Sequence, residues 1–132
     1  MKVAVDTNVL VRAAVQDDAA QARAAARLLK DAEIIAVAIP CLCEFVWVLR
    51  KIYRFRDADT ATALRALLAA PNVEVNRPAV EAGLAVLEAG GDFADGVIAH
   101  EGAWLRGEAF VSFDRAAVAA LAAQDQPARL LK

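Results

Sequence analysis

The side chains with chemistry to offer in this sequence are carboxylates. Val3-Ala4-Val5 is a short apolar run that reads as a buried strand, and Asp6-Thr7-Asn8 is its polar exit into a helix beginning near Val9. Ligands of open α/β sheets collect at such strand ends. Asp114 likewise follows an apolar segment, while Glu44, Asp92 and Asp95 fall on helical patterns that could flank the same edge. Acids gathered there would repel one another, and without a counter-ion at least one would bind a proton. A hard dication resolves the conflict. Oxygen-only ligation selects Mg²⁺ or Mn²⁺ over zinc, and Mg²⁺ keeps several waters and leaves positions for a substrate phosphate.

Taken singly, most of these acids have an ordinary explanation. Asp6, Asp92 and Asp114 each stand just before a helical pattern, where Asp is a preferred N-cap, and Asp95 resembles the acidic partner of a capping box begun by Asp92. Glu44 resists that explanation. Cys41-Leu42-Cys43 precedes it and Phe45-Val46-Trp47-Val48-Leu49 follows, so its helix has no evident solvent face. A buried carboxylate must be paired or neutralised. The next base, Arg50, lies off its face of the helix, so Glu44 is expected to point into a polar cleft.

The elements that must position these acids are legible in outline. After the first strand and a short helix, Asp17 to Asp31 reads as an Ala-rich helix with one apolar face, and Ile34 to Ile39 as a second buried strand. Pro40 opens a helix expected to reach about Arg56, since a first-turn position needs no N–H donor. Asp57 to Ala70 follows as a helix capped by Asp57 or Asp59, then Val73 to Val75 as an edge strand. A helix from Pro78 to Ala89 stops at Gly90-Gly91, and another runs from Asp92 to about Trp104. Glu108 to Ser112 is a strand, Asp114 starts the last long helix, and Arg129 to Leu131 closes the chain as a strand. Strands alternating with helices imply an α/β fold whose parallel sheet is covered on both faces.

Composition narrows the classes. A chain of 132 residues is expected to be one domain, with no linker in sight. Alanine supplies 33 residues, so the high apolar content leans helical and implies no membrane insertion. The longest apolar stretch, Ile34 to Leu49, contains Pro40 and Glu44 and falls short of the roughly 20 residues that span a bilayer. Asp6, Asn8 and Arg12 interrupt any signal-peptide core, so a cytoplasmic location is expected. Cys41 and Cys43 are too close for an ordinary structural disulfide, and with a single histidine no Cys/His zinc site can form. Both are expected to be buried, inert thiols.

The formal charge is −2, but setting aside the five candidate acids leaves 12 acids against 15 bases. An anionic site in a mildly basic body suits a phosphate substrate reached through a cation. In Arg50-Lys51-Ile52-Tyr53-Arg54-Phe55-Arg56 aromatics interleave with positive charge, a composition used for backbone contact and stacking and equally for a solvated helix end.

In order, spacing and total length the chain resembles the PIN-domain ribonucleases, and more narrowly the VapC-type toxins of bacterial toxin–antitoxin pairs. The carriers are the opening VAVDTNVLVR, Glu44 in a Pro-initiated apolar helix, DFADGVIAH from Asp92 to His100, and FVSFD ending at Asp114. The resemblance implies a single PIN-like domain over residues 1–132: a three-layer sandwich with a central parallel sheet of four or five strands. It makes Asp6, Glu44, Asp95 and Asp114 the acidic quartet around the metal, with Asp92 an extra acid found in part of the family. Gly96 stands where Ala is commoner, which should loosen the helix start by up to about 1 kcal/mol. His100, on another part of the helix circumference from Asp95, is expected to pack or touch a partner.

The implied activity is that of an endoribonuclease dependent on Mg²⁺, with Mn²⁺ as a substitute. Asp6, Asp95 and Asp114 are the expected ligands, with Glu44 and Asp92 acting through water or Glu44 and Asp114 positioning a second ion. Thr7 and Ser112 would orient ligands, Asn8 would touch the phosphate, and products would end in 5′-phosphate and 3′-hydroxyl. The expected partners are RNA, a VapB-like antitoxin and a second copy in a homodimer. The alternatives are a non-catalytic PIN-like module binding nucleic acid or protein, and a phosphatase of the haloacid-dehalogenase type. The phosphatase would need a second Asp where Asn8 stands.

Overall fold

Val3, Ile35 and Val73 each centre or open a short strand, and the three strands pair side by side in parallel. The computed structural model describes residues 1–132. Its chain divides into two compact units, Met1–Asn76 and Arg77–Lys132.

The first unit runs β1 (Lys2–Ala4), α1 (Thr7–Val15), α2 (Ala19–Asp31), β2 (Ile34–Ala36), α3 (Ile39–Lys51), α4 (Asp57–Ala69) and β3 (Val73–Glu74). The sheet order is β1-β2-β3, with Val3 opposite Ile35 and Ile35 opposite Val73. Each parallel step is a crossover through two helices, as a parallel pair requires. Leu10, Ile35, Leu42, Phe45, Leu49 and Leu64 fill the core. The buried strand is β2: in β1 Val3 is only half-buried and Ala4 is exposed, which corrects the expectation of a buried opening strand. Asn72 ties the end of α4 to the end of α2, its amide donating to the carbonyls of Leu29 (2.8 Å) and Ala32 (2.9 Å) that the helix leaves unsatisfied.

α3 begins as expected, with Pro40 in its first turn, but ends at Lys51 instead of reaching Arg56. The chain turns back on itself there. Tyr53 N–H donates to Val48 C=O and Phe55 N–H to Leu49 C=O, and Arg54 takes a positive φ of 59° that no helix continues through. α4 is also started differently from expectation. Its N-cap is Arg56, with no side-chain cap, because Asp57 and Asp59 lie inside the first turn and pair with Arg50 and Arg56.

The second unit runs α5 (Arg77–Glu88), α6 (Phe93–Trp104), β4 (Phe110–Ser112), α7 (Arg115–Ala123) and β5 (Ala128–Leu130). β4 and β5 pair in parallel, Val111 opposite Arg129. α5 ends at Glu88, Gly90 follows with a φ of +94° that suits glycine, and the helix packs against α6 around the buried Phe93. The fold is thus α/β with seven helices and five strands, every strand pairing parallel. The strands form a three-stranded and a two-stranded sheet, where one sheet of four or five was expected. No helix is long and apolar enough to cross a membrane.

Candidate active site

Asp6 leaves β1 in extended backbone and caps α1, its Oδ1 accepting from Thr7 N–H at 2.7 Å. One oxygen is thereby fixed and the other is held only by the Asn8 amide at 3.5 Å. Thr7 is buried and its hydroxyl donates to Cys41 Sγ at 3.6 Å, joining the start of α1 to α3. The hydroxyl expected to orient a ligand is therefore engaged with a thiol. Burial pushes the Cys41 thiol up from its ordinary value, and the negative charges of Asp6 and Glu44 push it further, against the Thr7 hydrogen bond. The two candidate carboxylates of this unit, Asp6 and Glu44, accordingly lie within electrostatic reach of one sulfur. Cys41 is buried as expected, while Cys43 is only half-buried.

Glu44 itself is exposed, which corrects the reading of its helix as one without a solvent face. α3 does have such a face. It is a narrow one that carries Trp47, 57% exposed, so an apolar sequence there did not mean a buried surface. Glu44 makes no ion pair or side-chain hydrogen bond within the chain and has no structural task of its own.

In the second unit Asp92 caps α6, with Oδ1 accepting from Ala94 N–H at 3.2 Å. Asp114 caps α7, with Oδ1 accepting from Ala116 N–H at 2.9 Å and Ala117 N–H at 3.2 Å. Ser112 steadies the approach, its Oγ accepting from Asp114 N–H at 2.9 Å. Asp95 stands in the first turn of α6, half-buried. Burial raises the Asp95 carboxyl above the usual carboxylate range, and the charges of Asp92 and Asp114 raise it further. His100 lies half-buried later on the same helix.

The three caps are therefore real, yet capping occupies one oxygen of each Asp and orients the other. Asp95 and Glu44 have no capping task. In neither unit do three or more His, Cys, Asp or Glu side chains gather into a set that could hold a metal ion. The donors each unit offers are nevertheless all carboxylate oxygens, with the one buried thiol held protonated, and that chemistry fits a hard cation better than zinc.

The basic segment that ends α3 and follows it is less available than its sequence suggests. Arg50 pairs with Asp57 at 3.0 Å, Arg56 with Asp59 at 3.1 Å, and the Tyr53 hydroxyl donates to Asp17 at 2.9 Å. Lys51 and Arg54 are exposed without an ion-pair partner, and further free bases lie on α2. Arg23, Arg27 and Lys30 are exposed, have no ion-pair partner, and recur at helical spacing on one arc. That spacing was present in the sequence, masked by the alanines around it.

No curated protein matches the sequence. The PIN domain family matches it over residues 3–123, a span that takes in Asp6, Glu44, Asp92, Asp95 and Asp114. With most of its length matched, including every acid singled out above, this chain belongs to the PIN domain family.

Proposed function

We propose that this PIN domain is a metal-dependent endoribonuclease and serves as the toxin of a VapBC-type pair, its two units acting as one domain over residues 1–132. PIN domains are generally nucleases and typically use divalent metal ions. The observation that carries the reading is the crowding of Asp95 by burial and by the charges of Asp92 and Asp114, an unfavourable arrangement that a bound cation would relieve.

In this reading Asp6, Asp95 and Asp114 hold Mg²⁺, or Mn²⁺ in its place, and Glu44 and Asp92 take part through water. When bound, the ion supplies Lewis acidity and a water of lowered pKa for attack on a phosphodiester. The chain's own contribution is orientation. The backbone N–H groups of Thr7, Ala116 and Ala117 each fix one oxygen of Asp6 or Asp114, so the remaining oxygen enters ligation already positioned. Acid–base work by a histidine pair is excluded, since His100 is the only histidine.

The first unit carries ten bases against nine acids and the second five against eight. The unpaired bases of α2 therefore give RNA a place for its backbone on the first unit. By the resemblance, a VapB-like antitoxin is the cognate partner, the protein forms a homodimer, and its location is cytoplasmic.

The test is incubation of total cellular RNA with purified protein and Mg²⁺ or Mn²⁺, beside EDTA and Asp95→Asn controls, with fragment ends mapped. Discrete cuts with 5′-phosphate and 3′-hydroxyl ends, lost in both controls, are the expected result. The α2 bases favour one alternative, a non-catalytic PIN-like module that binds nucleic acid. It predicts RNA binding without cutting and a cellular effect untouched by Asp95→Asn.

A further inference from the structure

α3 shows solvent a single narrow stripe: Pro40, Glu44, Trp47 and Lys51, while every other residue of the helix is buried or half-buried. Spacings of four, three and four residues put them on one line. Trp47 is 57% exposed, a large aromatic surface left in water, and no group of the chain accepts from its indole N–H. Long side chains on a helix lean toward its N-terminus. By that tendency the indole is expected over the turn that carries Glu44, and the Lys51 side chain toward the indole. Acid, aromatic face and cation follow one another along the helix.

We propose that this stripe is the track for an unpaired RNA strand, with Trp47 stacking on a base beside the phosphodiester that is cut and Lys51 taking a neighbouring phosphate. The proposal rests on the nuclease reading of Glu44. Interleaved aromatics and cations are how proteins hold single strands, and stacking tolerates any base because each has a π face. A paired strand offers its bases no such face, so the substrate class is unpaired RNA. The charges at either side of the ring speak against an apolar protein interface, whose centre is depleted in Glu and Lys.

The experiment measures affinity for a labelled unpaired RNA oligonucleotide, and for a duplex of equal length, in the Asp95→Asn protein so that binding is read without cleavage. Trp47→Ala is expected to weaken binding of the unpaired RNA by about 5- to 150-fold, the range of one lost stack. Trp47→Phe should retain most of it, and duplex binding should change little. In Trp104→Phe protein, where residue 47 is the sole tryptophan, unpaired RNA should quench the fluorescence, a readout that leaves Trp47 in place. Unchanged affinity in Trp47→Ala together with absent quenching overturns the track. So does a Trp47→Ala protein that loses self-association or partner binding at unchanged RNA affinity, which reassigns the face to a protein contact. If the parent neither binds nor cuts RNA, the nuclease reading itself falls, and the track with it.

Discussion

Gly83 of α5 and Gly96 of α6 approach so closely that a methyl group at position 96 would stand 2.8 Å from the Cα of Gly83 and 2.5 Å from the Ala82 carbonyl oxygen. Both obstacles are backbone, so no side chain can swing aside to make room. The expectation that glycine here merely loosens the helix start is thus corrected: the missing methyl is what lets α6 lie against α5. The two helices also enclose Phe93, whose ring a methyl at Gly83 would meet at 2.6 Å.

Gly96→Ala is accordingly expected to destabilise the protein. Helix propensity favours Ala by about 1 kcal/mol, but overpacking typically costs about 1–3 kcal/mol and should prevail against rigid backbone. Urea unfolding measures the balance. A variant more stable than the parent would show that the helices separate at little cost.

Asp114 combines two tasks that substitution can separate. Asn caps a helix about as well as Asp, whereas Ala forfeits roughly 0.5–2 kcal/mol. Asp114→Asn should therefore unfold at nearly the parent's urea midpoint while losing Mg²⁺-dependent cleavage, and Asp114→Ala should lose both. Full activity in Asp114→Asn would leave this carboxylate as a cap alone.

The same duality explains how much of the site was legible in the sequence. Asp6, Asp92 and Asp114 were recognisable as caps because an Asp before a helical pattern has a local cause, and the structure bears out all three. The surroundings of Glu44 were not legible. An apolar run says that side chains dislike water, and Trp47 is left in water nonetheless. The bases of Arg50 and Arg56 were visible, but their engagement by Asp57 and Asp59 depends on the turn at Tyr53 to Phe55, whose positive φ at Arg54 no residue type there announces. Strand positions were readable to within a few residues. Their division between two sheets depends on pairings among distant segments, which three-residue strands hardly specify.

Asp17 offers a pH test away from the candidate site. The Tyr53 hydroxyl donates to its Oδ2 at 2.9 Å and Arg12 Nη1 to its Oδ1 at 3.0 Å, and its carboxyl is held below the usual range by Tyr53 first and by Arg12 after it. A carboxyl lowered by folding adds stability that is fully present above its unfolded value of about 3.9 and is lost as pH falls through the folded value. Tyr53→Phe should raise the Asp17 pKa toward the unfolded value. The stability advantage of the parent over Tyr53→Phe should then shrink as the pH drops below about 4. Carboxyl-detected NMR titration of Asp17 decides, and an unmoved pKa in Tyr53→Phe would assign the shift to other groups.

The α2 stripe makes a quantitative prediction about RNA. Arg23 and Arg27 lie four residues apart with no acid paired to either, an arrangement that slightly destabilises a helix through like-charge repulsion. Asp31, four residues beyond Arg27, forms no ion pair with it. Contact with a phosphate backbone would offset that repulsion and release counter-ions, at roughly 0.7 per cation for a single strand. Replacing Arg23, Arg27 and Lys30 together with Gln should therefore weaken RNA binding and flatten the slope of log affinity against log salt by about 2. Because these side chains are exposed, the fold should survive, as circular dichroism would verify. A slope equal to the parent's would mean that the stripe faces only solvent and that RNA is held by other cations.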